Sequence, residues 1–250
     1  MQRYFLDEAH QNGDQVELSA TIYHHWVTVL RAEVGATAEF VDQQAHLFHG
    51  TLKQLTAEQA TVTLAAVPTP KVELPVHVTI ACGLPKQEKA EWITQKATEL
   101  GVDRIIFFSG DWSVAKWQEN KVDKKLKRLT KIADGAAEQS HRLRRPVVQY
   151  APNLAAVLKE PVDVRLMAYE ESAKQGEQSA LNQQLQALTV GQSLLTIFGP
   201  EGGISPAEVA LAQAQATTLV GLGPRILRTE TAPLYLLSAI SMVLELQQPR

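Results

Sequence analysis

A chain of 250 residues, 45% hydrophobic and 20% charged, is long enough to bury a sizeable core and is not composed like a disordered, collagen-like or disulfide-built protein. Its net charge of −3 conceals a split: residues 1–70 carry three basic against eight acidic side chains, whereas residues 116–145 carry ten basic against four acidic. A local cationic surface on a mildly acidic protein suits an anionic polymer partner.

The opening "MQRYFLDEAH" has no basic leader running into an apolar stretch, and no window reaches the ~18 apolar residues of a membrane span, so a cytoplasmic protein is expected. Over the first 65 or so residues, short alternating stretches ("QVELSA", "TAEFVD", "HLFHGTLKQL", "ATVTLAAV") separated by turn residues predict a small antiparallel barrel or sheet. A short helix around "ATIYHHWVTVLR" interrupts it. "VPTPKVELP" then sets three prolines in nine residues, which sustains neither a helix nor a central strand and predicts a linker. The boundary falls near residue 72, dividing the chain into domains 1–71 and 72–250.

Beyond the linker, β-branched runs alternate with helical patterns from "VHVTIAC" to the final helix "PLYLLSAISMVLEL". This α/β alternation predicts a mostly parallel sheet covered on both faces, with ligands beyond the carboxyl ends of its strands. The single cysteine, Cys82, reads as a buried small hydrophobe rather than a nucleophile or ligand. In the helix beginning at Asn120, Val122, Leu126, Leu129, Ala133 and Ala136 form a core stripe, and Lys121, Lys124, Arg128 and Lys131 recur on another face. That basic face is either an ordinary solvated surface or, with "HRLRRP" extending its charge, a nucleic-acid contact. The final helix is apolar almost all round and must be buried, in a core or against another subunit.

Two glycine loops stand at predicted strand ends, "FGPEGGIS" (198–205) and "GLGPRILRTETAP" (221–233). The first lacks the lysine of a phosphate-binding loop and carries a glutamate; the second lacks the third glycine of a dinucleotide fingerprint. No His, Cys and carboxylate cluster has metal-ligand spacing, so no metal is expected. Either the loops are tight turns, or they hold a small, flat, weakly anionic ligand by main-chain groups. An adenosyl group bearing a cationic sulfonium meets that description, and Glu201 tolerates its charge.

"GPEGGISPAEV" followed by "LGPRILRTETA", with "KATELGV" (96–102), "AAEQSHR" (136–142), "QRYF" and "VLRAEVG" upstream, resembles the RsmE family of 16S ribosomal RNA uridine N3-methyltransferases, of the SPOUT class. The resemblance implies a PUA-like β-barrel at 1–71, an α/β domain with a deep trefoil knot at 72–250, and a homodimer. It implies S-adenosylmethionine as cofactor, held by Ala168, Tyr169, Phe198, Gly199, Gly202, Gly203, Leu222, Gly223 and Leu227. The substrate it implies is a uridine in the decoding region of 16S RNA, in the assembled small subunit. Arg228 is the candidate cationic group for this chemistry, with Glu230 and Glu201 as candidate bases that have competing structural roles. Arg3, Arg31, Lys86, Arg128, Arg142 and Arg144 are the candidate RNA contacts. The chain departs from the family at "SGDWSVAKW" (109–117), where relatives carry a run like "SERSVVK": Ser113, Val114 and Lys116 are kept and the arginine is lost. Two other readings are a non-catalytic RNA-binding protein and a SPOUT enzyme acting on another base or on transfer RNA.

Overall fold

Alternating apolar residues build the first of two sheets. In the computed structural model, which describes residues 1–169 and 180–247, the chain divides into Met1–Val72 with Glu138–Arg144, and Glu73–Ala137 with Arg145–Arg250. Strands β1 (Arg3–Phe5), β2 (Gln15–Glu17), β3 (Thr37–Val41), β4 (Leu47–Leu55) and β5 (Ala60–Ala66) form the first sheet in the order β1-β3-β4-β5-β2. β1 runs parallel to β3 and the other pairings are antiparallel. The edges β1 and β2 do not pair with each other, so among the described residues the sheet stays open and no closed barrel forms. The expected helix is α1 (Ala20–Tyr23), capped by the Ser19 hydroxyl and continued as a π-helix through His24–Val29.

Inward residues of this sheet gather an aromatic core. Tyr4, Trp26 and Phe40 lie 5.8 to 6.0 Å apart, in tilted or edge-on pairs. The β3–β4 turn is organised by Asp42, which is buried and accepts N–H bonds from Gln44, His46 and His10. Burial works against its charge, yet those hydrogen bonds win and hold its carboxyl below the usual range.

Arg3 belongs to this framework. Only 3% exposed, it pairs with Glu39 at 2.8 Å and donates to the carbonyls of His141 and Arg142, while His141 Nδ1 stands 3.0 Å from Glu39. The candidate RNA contact Arg3 thus lies inside this framework, its guanidinium held by the partly buried Glu39 and two carbonyls. Arg142, another candidate RNA contact, is likewise 3% exposed.

The second sheet is wholly parallel. β6 (His77–Gly83), β7 (Arg104–Phe108), β8 (Val147–Ala151), β9 (Val164–Ala168), β10 (Ser193–Phe198) and β11 (Thr218–Val220) take the order β11-β9-β10-β6-β7-β8. Successive residues point to opposite faces. Ile80, Cys82, Phe107, Leu166 and Phe198 enter one core with helices α2 (Lys89–Glu99), α3 (Glu119–Gln139), α5 (Ala180–Ala187) and α7 (Ala232–Ser241). Ala81, Ile106, Met167, Leu195 and Ile197 enter the other, with α4 (Leu154–Val157) and α6 (Pro206–Ala214). Burial on both faces explains why these strands read as continuous apolar runs. No helix of the described residues is long and apolar enough to cross a membrane.

Arg3→Met should destabilise the protein by about 1–3 kcal/mol, because it takes the guanidinium from the largely buried Glu39. Arg3→Met combined with Glu39→Met should recover part of that loss, as read by thermal melting of both variants.

Candidate active site at the carboxyl edge of the parallel sheet

The parallel order sets the carboxyl ends of β11, β9, β10 and β6 side by side. Val220 is level with Ala168, Ile197 with Met167, and Phe198 with Cys82. The Tyr169 N–H donates to the Val220 carbonyl at 3.0 Å, fastening the chain after β9 to the end of β11. Ala168, Tyr169, Phe198, Gly199, Leu222 and Gly223 therefore collect along one edge, where parallel sheets place their ligands. Gly202 and Gly203 sit in the turn after β10, closed by the Gly203 N–H donating to the Pro200 carbonyl at 2.9 Å. Leu227 lies further along the 221–231 loop and is partly buried.

This turn is pressed against other main chain. A Cβ on Gly83, the last residue of β6, would fall 2.6 Å from the Pro200 nitrogen, and one on Gly202 would fall 2.5 Å from the Trp112 carbonyl oxygen. Neither position admits a side chain without moving backbone. The segment carrying Trp112 is itself held: the Asp111 N–H donates to Glu208 Oε1 at 3.1 Å, and the Ser205 hydroxyl donates to Asp111 Oδ2 at 2.6 Å. Glu208 also completes a capping box with Ser205 at the start of α6. The S-x-x-E spacing of "SPAE" signals that cap; the tie to Asp111, ninety-odd residues away, has no sequence signal.

Lys89, in the first turn of α2, joins the two loops. Its Nζ lies 3.0 Å from Glu201 Oε1, to which it donates, and 3.0 Å from the buried Glu230 Oε2, which it meets by charge without hydrogen-bond alignment. Glu201 Oε1 also accepts the Lys86 N–H at 3.1 Å. Pairing with Glu230 and then with Glu201 raises the Lys89 pKa. Burial opposes ionisation of both glutamates, but the bonds from Lys86 and Lys89 lower Glu201, and its own backbone N–H, Lys89 and Arg228 lower Glu230. Both candidate bases are thus stabilised as carboxylates and weakened as proton acceptors. Sequence reasoning missed Lys89, which is one of several lysines in a charged stretch and acquires its partners only through folding.

Arg228 is exposed; its carbonyl accepts from Thr231 at 2.8 Å and Ala232 at 3.0 Å, starting α7 and leaving the guanidinium beside the loop. Of the candidate RNA contacts, Arg31, Lys86 and Arg144 are exposed, and Arg128 pairs with Glu91 at 2.8 Å on the outer face of α3. Among the described residues no group of His, Cys, Asp and Glu side chains is gathered as a metal site.

Lys89→Met should cost about 1–3 kcal/mol by leaving two carboxylates facing each other. In the unaltered protein both glutamates have folded pKa values below their unfolded ones. Their contribution is therefore complete above the ordinary carboxylate range and is lost as pH falls through the depressed folded values. Lys89 mirrors them at the alkaline end, its contribution lost as pH rises through its raised value. The acid limb of a stability–pH curve should shrink in Lys89→Met, whose glutamates lose the ammonium that helps to hold their pKa values down.

Residues 72–241 match the model of the RNA methyltransferase domain. The ribosomal RNA small subunit methyltransferase E of Bacillus subtilis (strain 168) is 42% identical over 251 residues, covering 98% of each chain. A solved methyltransferase from Legionella pneumophila, in complex with the cofactor SAM, superposes with a TM-score of 0.83 at 27% identity over 96% of each chain. The ribosomal RNA small subunit methyltransferase E of Neisseria gonorrhoeae, bound to S-adenosyl methionine, gives 0.83 at 25% identity, over 97% of this chain and 98% of that one. With those strand-end loops, and a relative matched from end to end, the chain belongs to the ribosomal RNA small subunit methyltransferase E family.

Proposed function

We propose that the protein methylates N3 of one uridine in the decoding region of 16S ribosomal RNA, in the assembled small subunit and in the cytoplasm, using S-adenosylmethionine. The observation that carries this reading is the convergence of Ala168, Tyr169, Phe198, Gly199, Leu222 and Gly223 at the edge of three neighbouring strands, in a chain whose relatives are ribosomal RNA methyltransferases. The adenosyl part is held by main chain of the 199–203 and 221–227 loops, whose glycines allow close approach of the backbone. Bound there, the cofactor supplies an electrophilic methyl on a sulfonium.

Uridine N3 carries a proton between two carbonyls; loss of that proton leaves negative charge spread over N3, O2 and O4, which the new bond from N3 to the methyl then discharges. Arg228 stabilises that charge from the loop in which it stands. Glu201 and Glu230 hold loop geometry through Lys89 instead of accepting the proton, which leaves to water. Alignment of N3 with the methyl in a water-poor pocket supplies much of the remaining acceleration. In this reading the first sheet is the PUA-like RNA-binding module, the 199–204 and 221–231 loops belong to a trefoil knot, and two chains pair. Pairing is supported by apolar side chains left open before α7 and on the π-helical segment Met242–Leu246 that continues it: Ile226 is 74% exposed, Met242 49% and Leu246 69%.

Isothermal titration with S-adenosylmethionine should give saturable binding that Gly202→Val loses, since the new side chain meets the Trp112 carbonyl. A flat titration of the unaltered protein with small subunits present would overturn the cofactor assignment. Arg228→Ala should bind the cofactor normally yet slow single-turnover methylation by about 10²–10³-fold. An unchanged rate would remove Arg228 from the chemistry. Mass mapping of ribosomal RNA from cells lacking the gene identifies the nucleotide.

A further inference from the structure

The turn preceding α2 and the outer face of α3 enclose a cleft of about 270 Å³ that the strand-end site does not use. Gln87, Ala90, Glu91, Trp117, Lys121, Lys124, Lys125, Arg128 and Leu129 line it, and a second cleft continues it along α3 past Lys127 and Lys131. Lys121, Lys124, Lys125 and Arg128 recur three and four residues apart, so they share one helix face and repel one another. Within the cleft the opposing charge is Glu91, paired with Arg128 at 2.8 Å. Four cations around one carboxylate leave a local excess of positive charge that a polyanion would relieve.

The wall between them is aromatic and fixed. Trp117 stacks on Tyr150 with centroids 5.5 Å apart and planes at 25°, and leans on Phe107 at 5.6 Å. Lys125 Nζ lies 5.4 Å from the centroid of the indole. A long, flexible lysine over an anchored indole can give way to a planar ring and keep its charge beside it. Gln87 adds an amide at the rim, on a backbone turned to φ 57. A flat hydrophobic wall, an amide and a ring of cations are the parts that single-stranded nucleic acid requires: a stacking surface, a base-edge partner and phosphate contacts.

We propose that this cleft binds one nucleotide of single-stranded RNA flanking the methylated base, a proposal that rests on the enzymatic reading for the RNA's identity. The base lies against Trp117, Ala90 and Leu129, and the phosphates lie against Lys121, Lys124, Lys125 and Arg128. α2 connects the two sites, because Lys86 and Lys89 hold Glu201 and Glu230 while Gln87 and Ala90 line the cleft. A strand threaded past the start of α2 reaches both.

The test is binding of a fluorescein-labelled oligouridylate of about 12 nucleotides, within the span of known single-strand sites, at salt from about 50 to 200 mM. Lys121→Gln with Lys124→Gln should weaken binding and reduce the slope of log K against log salt by about 1.4, two contacts at ~0.7 each. Trp117→Phe should weaken binding with the slope unchanged, because stacking releases no counterions. Melting curves and cofactor titrations of both variants exclude a folding defect. Unaltered affinity and slope in the double-lysine variant would overturn the proposal, as would displacement of the RNA by polyglutamate of equal charge as readily as by unlabelled RNA. If the variants lose oligonucleotide binding and the unaltered protein methylates no ribosomal RNA, the enzymatic reading falls and the cleft stands. Methylation with unchanged KM in the double-lysine variant sinks the cleft alone.

Discussion

Main chain packed on main chain is the constraint from which the site follows. The Pro200 nitrogen lies so close to Gly83, and the Trp112 carbonyl to Gly202, that no Cβ fits at either point. Three segments far apart in sequence are thereby forced together: the end of β6, the turn after β10 and the loop after β7. A turn free to adopt many shapes would lose conformational entropy on binding a ligand; one fixed against its neighbours has already lost it during folding. The buried apolar strands beneath, Ile80, Cys82, Ile197 and Phe198 among them, supply the rigidity that makes such contacts persist.

Electrostatics completes what packing begins. Lys89 draws Glu201 and Glu230, one from each glycine loop, onto a single ammonium. An otherwise costly pair of carboxylates becomes a clasp between the two loops, and its basicity falls as its hold strengthens. Positioning and proton acceptance compete for the same groups, and here the geometry favours positioning. Arg228, left exposed just before the last helix, adds its charge to the Glu230 side of that clasp.

Much of this was legible in the sequence, and the failures have physical causes. Strands buried on both faces read as apolar runs between helical patterns, so the α/β alternation and the strand-end position of both glycine loops followed from "VHVTIAC", "SLLTIF" and their neighbours. The open first sheet was harder, because alternation within "QVELSA" or "TAEFVD" fixes which face is buried and not whether distant edges meet. Arg3 and Arg142 look like surface cations in a linear reading; burial and the pairing of Arg3 with Glu39 depend on chain segments more than thirty residues apart. Lys89 and the Glu208–Asp111 contact escaped for the same reason. Cationic spacing along α3 was visible from residue 121 to 131, but the indole wall facing it required the fold.

Cys82 turns this architecture into a built-in reporter. It is the chain's one cysteine, fully buried on β6 between Phe198 of β10 and Phe107 of β7, and burial pushes its thiol pKa well up. Only a thiolate reacts readily with alkylating reagents, so in the closed sheet the sulfur is silent. To be labelled, the sulfur must be uncovered by the helices packed on its face of the sheet, α2 and α7 among them, one residue before the place where Pro200 crosses Gly83. The rate of alkylation at this one atom is therefore a clock for the uncovering of the core beneath the crossing, needing no engineered probe and no signal from the rest of the molecule.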